Sequence, residues 1–325
     1  MDKKRILFIG IGFYDYEEAI INEFKKLDYE VDYYSEVPPN TITYRFYSRK
    51  KNQIKLNEIR RSHTASIVKS AHMNYDTIFI IKCEYFNESD LEQLRKENPK
   101  ANFILYLWDS LTRFPEIASK FSYFDTIYSF DRLDCIEHSR MQFNPLFYRN
   151  EYKYNEKSDH TTKVDIYHLG WYHSDRLEFI RKLAKKFDEL NIKYKIHLFT
   201  GYFSYMFQTI FGGELRNNKK FLVFKPASAN ENFENIMSAK ATLDIAHAMQ
   251  SGLTMRTIEL LGAQRKIITT NEDIKNYDFY DPQNVMILKR DNPQFDENFF
   301  LTEFNKTSPD ILEKYSITEW VKRML

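Results

Sequence analysis

The sequence predicts an α/β fold made of two Rossmann-like domains, and three observations carry that expectation. Short apolar runs of strand length alternate with segments of helical spacing along the whole chain, which is the pattern of a parallel sheet with crossover helices. One opening motif, an apolar strand followed by glycine and then a helix, occurs at RILFIGIG (residues 5–12) and again at VDIYHLG (164–170). At 325 residues the chain is long for one domain and sufficient for two with separate cores.

Composition narrows the classes of function. A formal net charge of +1 with 29% charged residues gives no global attraction for nucleic acid, so any basic surface is local. The two cysteines, Cys83 and Cys135, lack CxxC spacing and have no clustered histidines beside them, so neither a metal site nor another cofactor is expected. Glycine is scarce at 8 residues, which makes a glycine in a loop after a strand more informative than usual. The apolar run of MDKKRILFIG is too short for a signal-peptide core, and no later run reaches spanning length. A cytoplasmic protein, able to rest on a membrane surface, is the expectation.

The first domain is placed at residues 1–150. Its first strand (5–11) leads through Gly10 and Gly12 into a helix over 16–27. Asp15 stands where GxGxxG needs its third glycine, so nicotinamide binding is disfavoured. Further strands are predicted at 30–35, 76–82, 102–108 and 126–130. Residues 44–61, YRFYSRKKNQIKLNEIRR, hold seven Lys or Arg against one Glu. They read either as a solvated surface helix and loop or as a patch on anionic lipid headgroups, where each cation contributes on the order of 1 kcal/mol. A lipid-linked acceptor would suit the second reading, whereas no nucleic-acid module surrounds the patch. Asp109 in YLWDS and Asp131 in SFDRLDC lie just past strands, at the edge of a parallel sheet where ligands bind; Asp131 or Asp134 can instead cap the next helix.

A polar linker at 151–162 precedes the second domain, placed at 163–308. After Gly170 the turn WYHSDR leads into a helix over 175–190, which Ser174 or Asp175 can cap. His173 and Arg176 sit where a phosphate would meet that helix start, although His173 equally fits an ordinary loop histidine. Strands follow at 194–200 and 221–228, the latter carrying Lys225, either a phosphate or base-edge contact or a solvent-facing lysine. A helix over 230–240 then leads to residues 241–271, which read as strand (241–246), loop, helix (254–261) and strand (266–270). Met255, Ile258 and Leu261 give the helix its spacing, Thr254 can cap its start, and Gly262 can close it in a left-handed turn. Arg256 and Glu259 share a face of the helix and serve either each other or a ligand. A last strand is expected at 285–288, and residues 309–325 end in a helix with Ile317, Trp320, Val321 and Met324 on one side.

The segment LDIAHAMQSGLTMRTIELLGAQRKIITTN (243–271) resembles the donor-binding segment of GT-B glycosyltransferases of the group 1 superfamily, in the branch grouped with spore-maturation-type and surface-polysaccharide transferases. The shared pattern is a strand, a Gly loop, Leu-Thr-x-Arg-x-x-Glu and a second strand. The likeness covers most of the second domain and, through the Trp-Asp strand end and the Asp-x-x-Asp turn, the first in outline. It implies two domains facing across a cleft, with the C-terminal helix crossing back onto the first. It also implies transfer of a sugar from a nucleotide-activated donor to a surface glycan or glycolipid, as in lipopolysaccharide or capsule synthesis.

On that resemblance Glu259 holds the ribose, while Gly252, Leu253 and Thr254 at the helix start lie near the diphosphate. Gly170, His173 and Lys225 belong to the same nucleotide site. With no metal cluster in the sequence, Arg176, Thr254 and Arg256 would neutralise the leaving diphosphate. Asp15 or Asp109 would orient or deprotonate the acceptor hydroxyl. The better-known form of the motif has a second Glu eight positions before the first; this chain has Ser251 there. A nucleotide-sugar-modifying enzyme of epimerase type and a non-catalytic nucleotide-binding scaffold are the alternatives on the same fold.

Overall fold

The computed structural model describes residues 3–13, 15–72, 74–155, 161–172, 175–210, 213–247 and 250–325. They divide into two compact units. The first comprises the chain up to Leu146 together with residues 250–252 and Ile317–Leu325; the second comprises Phe147–His247 and Leu253–Ser316.

The first unit runs β1 (Lys4–Gly10), α1 (Tyr16–Lys26), β2 (Tyr29–Ser35), α2 (Ile42–Arg49), α3 (Gln53–Ser70), β3 (Thr77–Ile81), α4 (Glu88–Glu97), β4 (Asn102–Leu107), β5 (Thr126–Ser129), α5 (Arg132–Glu137) and β6 (Met141–Phe143). Its six strands form one parallel sheet in the order β2-β1-β3-β4-β5-β6. Ile6 to Ile9, Ile78 to Ile81 and Phe103 to Leu107 are all buried, because helices cover both faces of the sheet and leave the central strands no polar side. Residues 44–61 comprise most of α2, a turn at 50–52 and the first half of α3.

The second unit continues β7 (Val164–Trp171), α6 (Arg176–Glu189), β8 (Tyr194–Phe199), α7 (Tyr202–Ile210), β9 (Leu222–Val223), α8 (Ala229–Met237), β10 (Ala239–Asp244), α9 (Met255–Gly262), β11 (Lys266–Thr269), β12 (Val285–Ile287) and α10 (Pro309–Lys314). The predicted strand at 221–228 keeps only the two residues of β9, since the polar turn with Pro226 follows at once. This sheet is also parallel, in the order β12-β11-β10-β7-β8-β9. Counted within the unit, that is the doubly wound order 6-5-4-1-2-3. Connections leave in opposite directions from β7 and β10, so a crevice opens at their carboxyl ends, the switch point where such sheets bind ligands.

The last helix, α11 (Ile317–Met324), belongs to the first unit. It buries Ile317, Trp320, Val321 and Met324, the four residues on one helical stripe. The Trp320 ring lies 4.8 Å from Tyr106 and 6.1 Å from Phe79, and the Tyr128 hydroxyl donates to the Arg323 carbonyl at 2.8 Å.

Gly262 does not close α9 in a left-handed turn: it is the last helical residue, and the left-handed residue is Gln264, with φ 49°. Glycine is needed at 262 for space, because a Cβ there would lie 2.5 Å from Tyr148 Cγ.

Candidate functional site

At the switch point His168, on β7, is buried. Its Nδ1–H donates to the Leu243 carbonyl of β10 at 2.7 Å, and since a carbonyl only accepts, the ring proton sits on Nδ1. Nε2 is therefore a lone pair, and it is buried without a hydrogen-bond partner. Burial above all, then the charges of Arg256 and Arg176, pushes the His168 pKa down to about 3. Gly170, two residues on, keeps this spot open. A Cβ at 170 would lie 2.8 Å from His168 Nε2 and 3.0 Å from Arg176 Nη1.

Arg176, the first residue of α6, spans the two strand ends. Its Nη1 donates to the Trp171 carbonyl at 3.1 Å and its Nη2 to the Ile245 carbonyl at 3.0 Å. Burial lowers its pKa, with Asp244 acting in the opposite sense. Asp175 makes no side-chain cap bond; its carboxylate takes Arg290 at 2.6 Å instead. His173 lies outside the described residues. Lys225 is exposed past β9.

Thr254 is the N-cap of α9, as its position before the helical run predicts. Its Oγ1 accepts from the Thr257 N–H at 3.2 Å and donates to Asp244 Oδ2 at 2.9 Å, and the Thr257 hydroxyl donates to the same oxygen at 2.6 Å. The hydroxyl is thus committed to holding the helix start against the end of β10. Arg256 follows. Its charge acts on His168, Arg176, Tyr152 and Tyr167, yet its Nη1 is buried without a hydrogen-bond partner, as is Thr242 Oγ1 on β10.

Glu259 is only 2% exposed and faces Arg149 Nη2 at 3.8 Å. Tyr152 packs under the Arg149 guanidinium, 5.5 Å from it, and accepts from Asn232, whose Oδ1 takes the Tyr167 hydroxyl, both bonds at 3.0 Å. Three guanidinium groups (Arg149, Arg176, Arg256) face two carboxylates (Asp244, Glu259) in this cluster, which leaves it positive and suited to an anion. Among the described residues no group of His, Cys, Asp and Glu could hold a metal ion.

Of the remaining candidates, Gly252, Asp109 and Asp15 belong to the first unit. Gly252 gives its N–H to Asp131 Oδ2 at 3.0 Å; Ser251 gives the same oxygen its N–H at 3.2 Å and donates its hydroxyl to Oδ1. Asp131 also caps α5 by accepting from the Leu133 N–H. A Cβ at Gly252 would strike the Phe130 ring at 2.4 Å, so this residue is fixed by packing as well as by its hydrogen bond. Leu253, which belongs to the second unit, is buried. Asp109 is held by Arg113, by Lys82 Nζ at 3.3 Å and by Gln250 Nε2 at 3.2 Å. Asp15 is exposed at the start of α1 and makes no cap bond.

The first glycine turn is closed by the chain itself. Glu17 accepts from the Ile11 N–H at 2.5 Å, the Gly12 N–H at 2.8 Å and the Tyr33 hydroxyl at 2.7 Å. A carboxylate thereby occupies the backbone donors that a dinucleotide phosphate would use.

Sequence reasoning missed His168, Asp244 and Arg149. A histidine inside the apolar run VDIYHLG and an aspartate ending the strand ATLD were the available signals. Arg149 gave none, because its partner lies far along the chain.

Two units, each a parallel six-stranded sheet with crossover helices, have the architecture of the GT-B fold of nucleotide-sugar glycosyltransferases. The particular similarities are these. HepE of Anabaena, solved in complex with UDP and glucose, is 10% identical with a TM-score of 0.61, over 99% of this chain and 98% of that one. A glycosyltransferase from Rickettsia africae is 10% identical with a TM-score of 0.59, over 99% and 97%. The lipopolysaccharide outer core galactosyltransferase WaaB, in its apo form, is 14% identical with a TM-score of 0.52, over 98% and 97%. Identities this low establish the fold. No family model and no curated protein sequence matches the chain.

Proposed function

We propose that the chain is a glycosyltransferase that moves a sugar from a nucleotide-activated donor to a surface glycan or glycolipid, in lipopolysaccharide, capsule or related synthesis. One observation carries this reading: His168 Nε2 and Arg256 Nη1 are both buried without partners at the switch point, beside Arg176 and the space that Gly170 keeps free. Buried polar atoms cost free energy unless a partner meets them, and a nucleoside diphosphate supplies acceptors for the guanidinium and hydroxyl donors for the imidazole. The UDP and glucose bound to HepE and the galactosyl transfer named for WaaB support the same class of donor.

As the bond from the sugar to the diphosphate breaks, negative charge grows on the leaving oxygen. Arg176 and Arg256 take up that charge in place of a metal, and α9 adds its N-terminal dipole. Thr254 positions the helix through Asp244, while Glu259, oriented by Arg149, accepts from the ribose hydroxyls. The acceptor hydroxyl loses its proton to Asp15 or Asp109. Asp15 is the freer of the two, since Asp109 is already held by Arg113, Lys82 and Gln250. We place the protein on the inner face of the cytoplasmic membrane, with the basic residues 44–61 toward anionic headgroups. Among the described residues no helix is long and apolar enough to cross a membrane.

The test is release of free nucleotide from a panel of UDP-, GDP-, CMP- and dTDP-sugars in the presence of EDTA and of lipopolysaccharide and lipid-linked glycans as acceptors, measured above hydrolysis to water. Turnover of one donor class, abolished by Arg256→Ala, is expected. Release from none of them, or release that EDTA abolishes, would overturn this reading or its metal-independent form.

A further inference from the structure

Helix α7, Tyr202–Ile210, reads YFSYMFQTI; it carries no charged residue and none of its residues is buried. One side rests on the second unit. The Tyr202 and Tyr205 rings lie 5.6 and 5.0 Å from the Phe224 ring, and Gln208 accepts from the Tyr172 hydroxyl at 3.4 Å. The other side faces solvent over much of its area: Phe203 is 89% exposed, Phe207 64%, Ile210 70% and Met206 41%. Spacings of three and four put these four side chains on one stripe of the helix. Single exposed apolar residues are ordinary, but a contiguous stripe on an uncharged helix marks an interaction surface.

The surroundings of the stripe identify the partner. Between residues 201 and 230 the sequence holds Arg216, Lys219, Lys220 and Lys225 against the single acid Glu214, and that carboxylate accepts from the Tyr172 hydroxyl at 2.6 Å. All four cations are exposed, three of them in the short turns directly after the helix. An apolar stripe with cations beside it matches the boundary between headgroups and acyl chains of an anionic bilayer. A second copy of the chain fits poorly, because a two-fold contact through α7 would bring Arg216, Lys219 and Lys220 against their own equivalents.

We propose that α7 is an interfacial helix that inserts Phe203, Phe207 and Ile210 into an anionic lipid surface while Arg216, Lys219 and Lys220 meet the headgroups. This contact lies in the second unit, apart from the basic residues 44–61, and it adds apolar insertion to electrostatic attraction. It needs no nucleotide, so it stands or falls separately from the donor-site reading.

The experiment is co-sedimentation of the full chain, without nucleotide, with vesicles of phosphatidylcholine alone and of an equimolar mixture of phosphatidylcholine and phosphatidylglycerol. The wild type should sediment with the mixed vesicles and much less with phosphatidylcholine. Phe203→Ser with Phe207→Ser should weaken binding by about tenfold or more, and Lys219→Glu with Lys220→Glu by roughly tenfold. These positions are exposed, so an unchanged circular dichroism spectrum is expected. As a direct reading of depth, Phe207→Trp emission should be quenched by brominated acyl chains. Wild-type protein that binds neither vesicle, a double Ser variant that binds as the wild type does, or an unquenched Trp at 207 would each overturn the proposal. So would a dimer that the Ser variant dissociates while vesicle binding stays unchanged.

Discussion

His168 donates its Nδ1 proton to the Leu243 carbonyl across β7 and β10, and this one bond leaves a bare Nε2 lone pair at the switch point. The histidine folds neutral, since burial and two guanidinium charges hold its pKa near 3 against an ordinary value of 6.5. An unfolded chain therefore binds a proton below pH 6.5 that the folded one refuses. Stability contributed by this group is complete above pH 6.5 and is lost as pH falls toward about 3. Urea unfolding of the wild type and of His168→Gln across that range should show a stability difference that falls toward acid pH. A pH-independent difference would contradict this, because it requires His168 to bind its proton equally in the folded and unfolded chain.

Asp131 carries the Ser251 and Gly252 turn. Burial raises its pKa, but hydrogen bonds from Ser110, Ser251, Gly252 and Leu133 outweigh burial and hold it below 3.8. Asp131→Asn would turn an amide N–H₂ toward donors that need an acceptor, and should cost about 3 kcal/mol. The wild type should lose this contribution only as pH falls below 3.8, through the lowered pKa. Denaturant midpoints of the two proteins at neutral and acid pH check it.

Gly262→Ala should destabilise by roughly 1–3 kcal/mol, because its Cβ meets Tyr148. Gln264→Gly should do the opposite, relieving the left-handed residue by up to about 1 kcal/mol. Melting temperatures of the two variants should therefore move in opposite directions.

These positions show where sequence reading succeeds and where it stops. The strands were legible because both sheets bury their central strands on two faces, so runs such as Phe103 to Leu107 are apolar without interruption. Thr254 was legible as a cap because capping is local, its partner Thr257 lying one turn on. Gly262 was misread, since the glycine answers to Tyr148 rather than to its own backbone. The same limit hid Ser251 and Gly252, whose partner Asp131 lies on another strand end. His168 was passed over inside an apolar run, where only the pairing of β7 with β10 reveals which of its nitrogens is left bare.

Glu259→Ala should weaken nucleotide binding tenfold to a hundredfold, in line with loss of a charged hydrogen bond of roughly 1.5–3 kcal/mol. It should also lower the melting temperature, because the buried Arg149 loses the carboxylate that lies 3.8 Å from it. Glu259→Gln separates the two effects. It should keep more of the stability than the affinity, whereas unchanged affinity in both variants would make Glu259 a structural partner of Arg149 alone.

The most direct measurement is thermal stabilisation of the wild type and Arg256→Ala by UDP, GDP, CMP, dTDP and NAD without added metal. A ligand that binds only the folded state raises stability with the logarithm of its saturation, so one screen ranks all five. Stabilisation by one glycosyl-donor nucleotide, with affinity reduced about tenfold or more in Arg256→Ala, is the predicted result. Stabilisation by NAD alone, by none of the five, or equally in both proteins would contradict a nucleotide site at the carboxyl ends of β7 and β10.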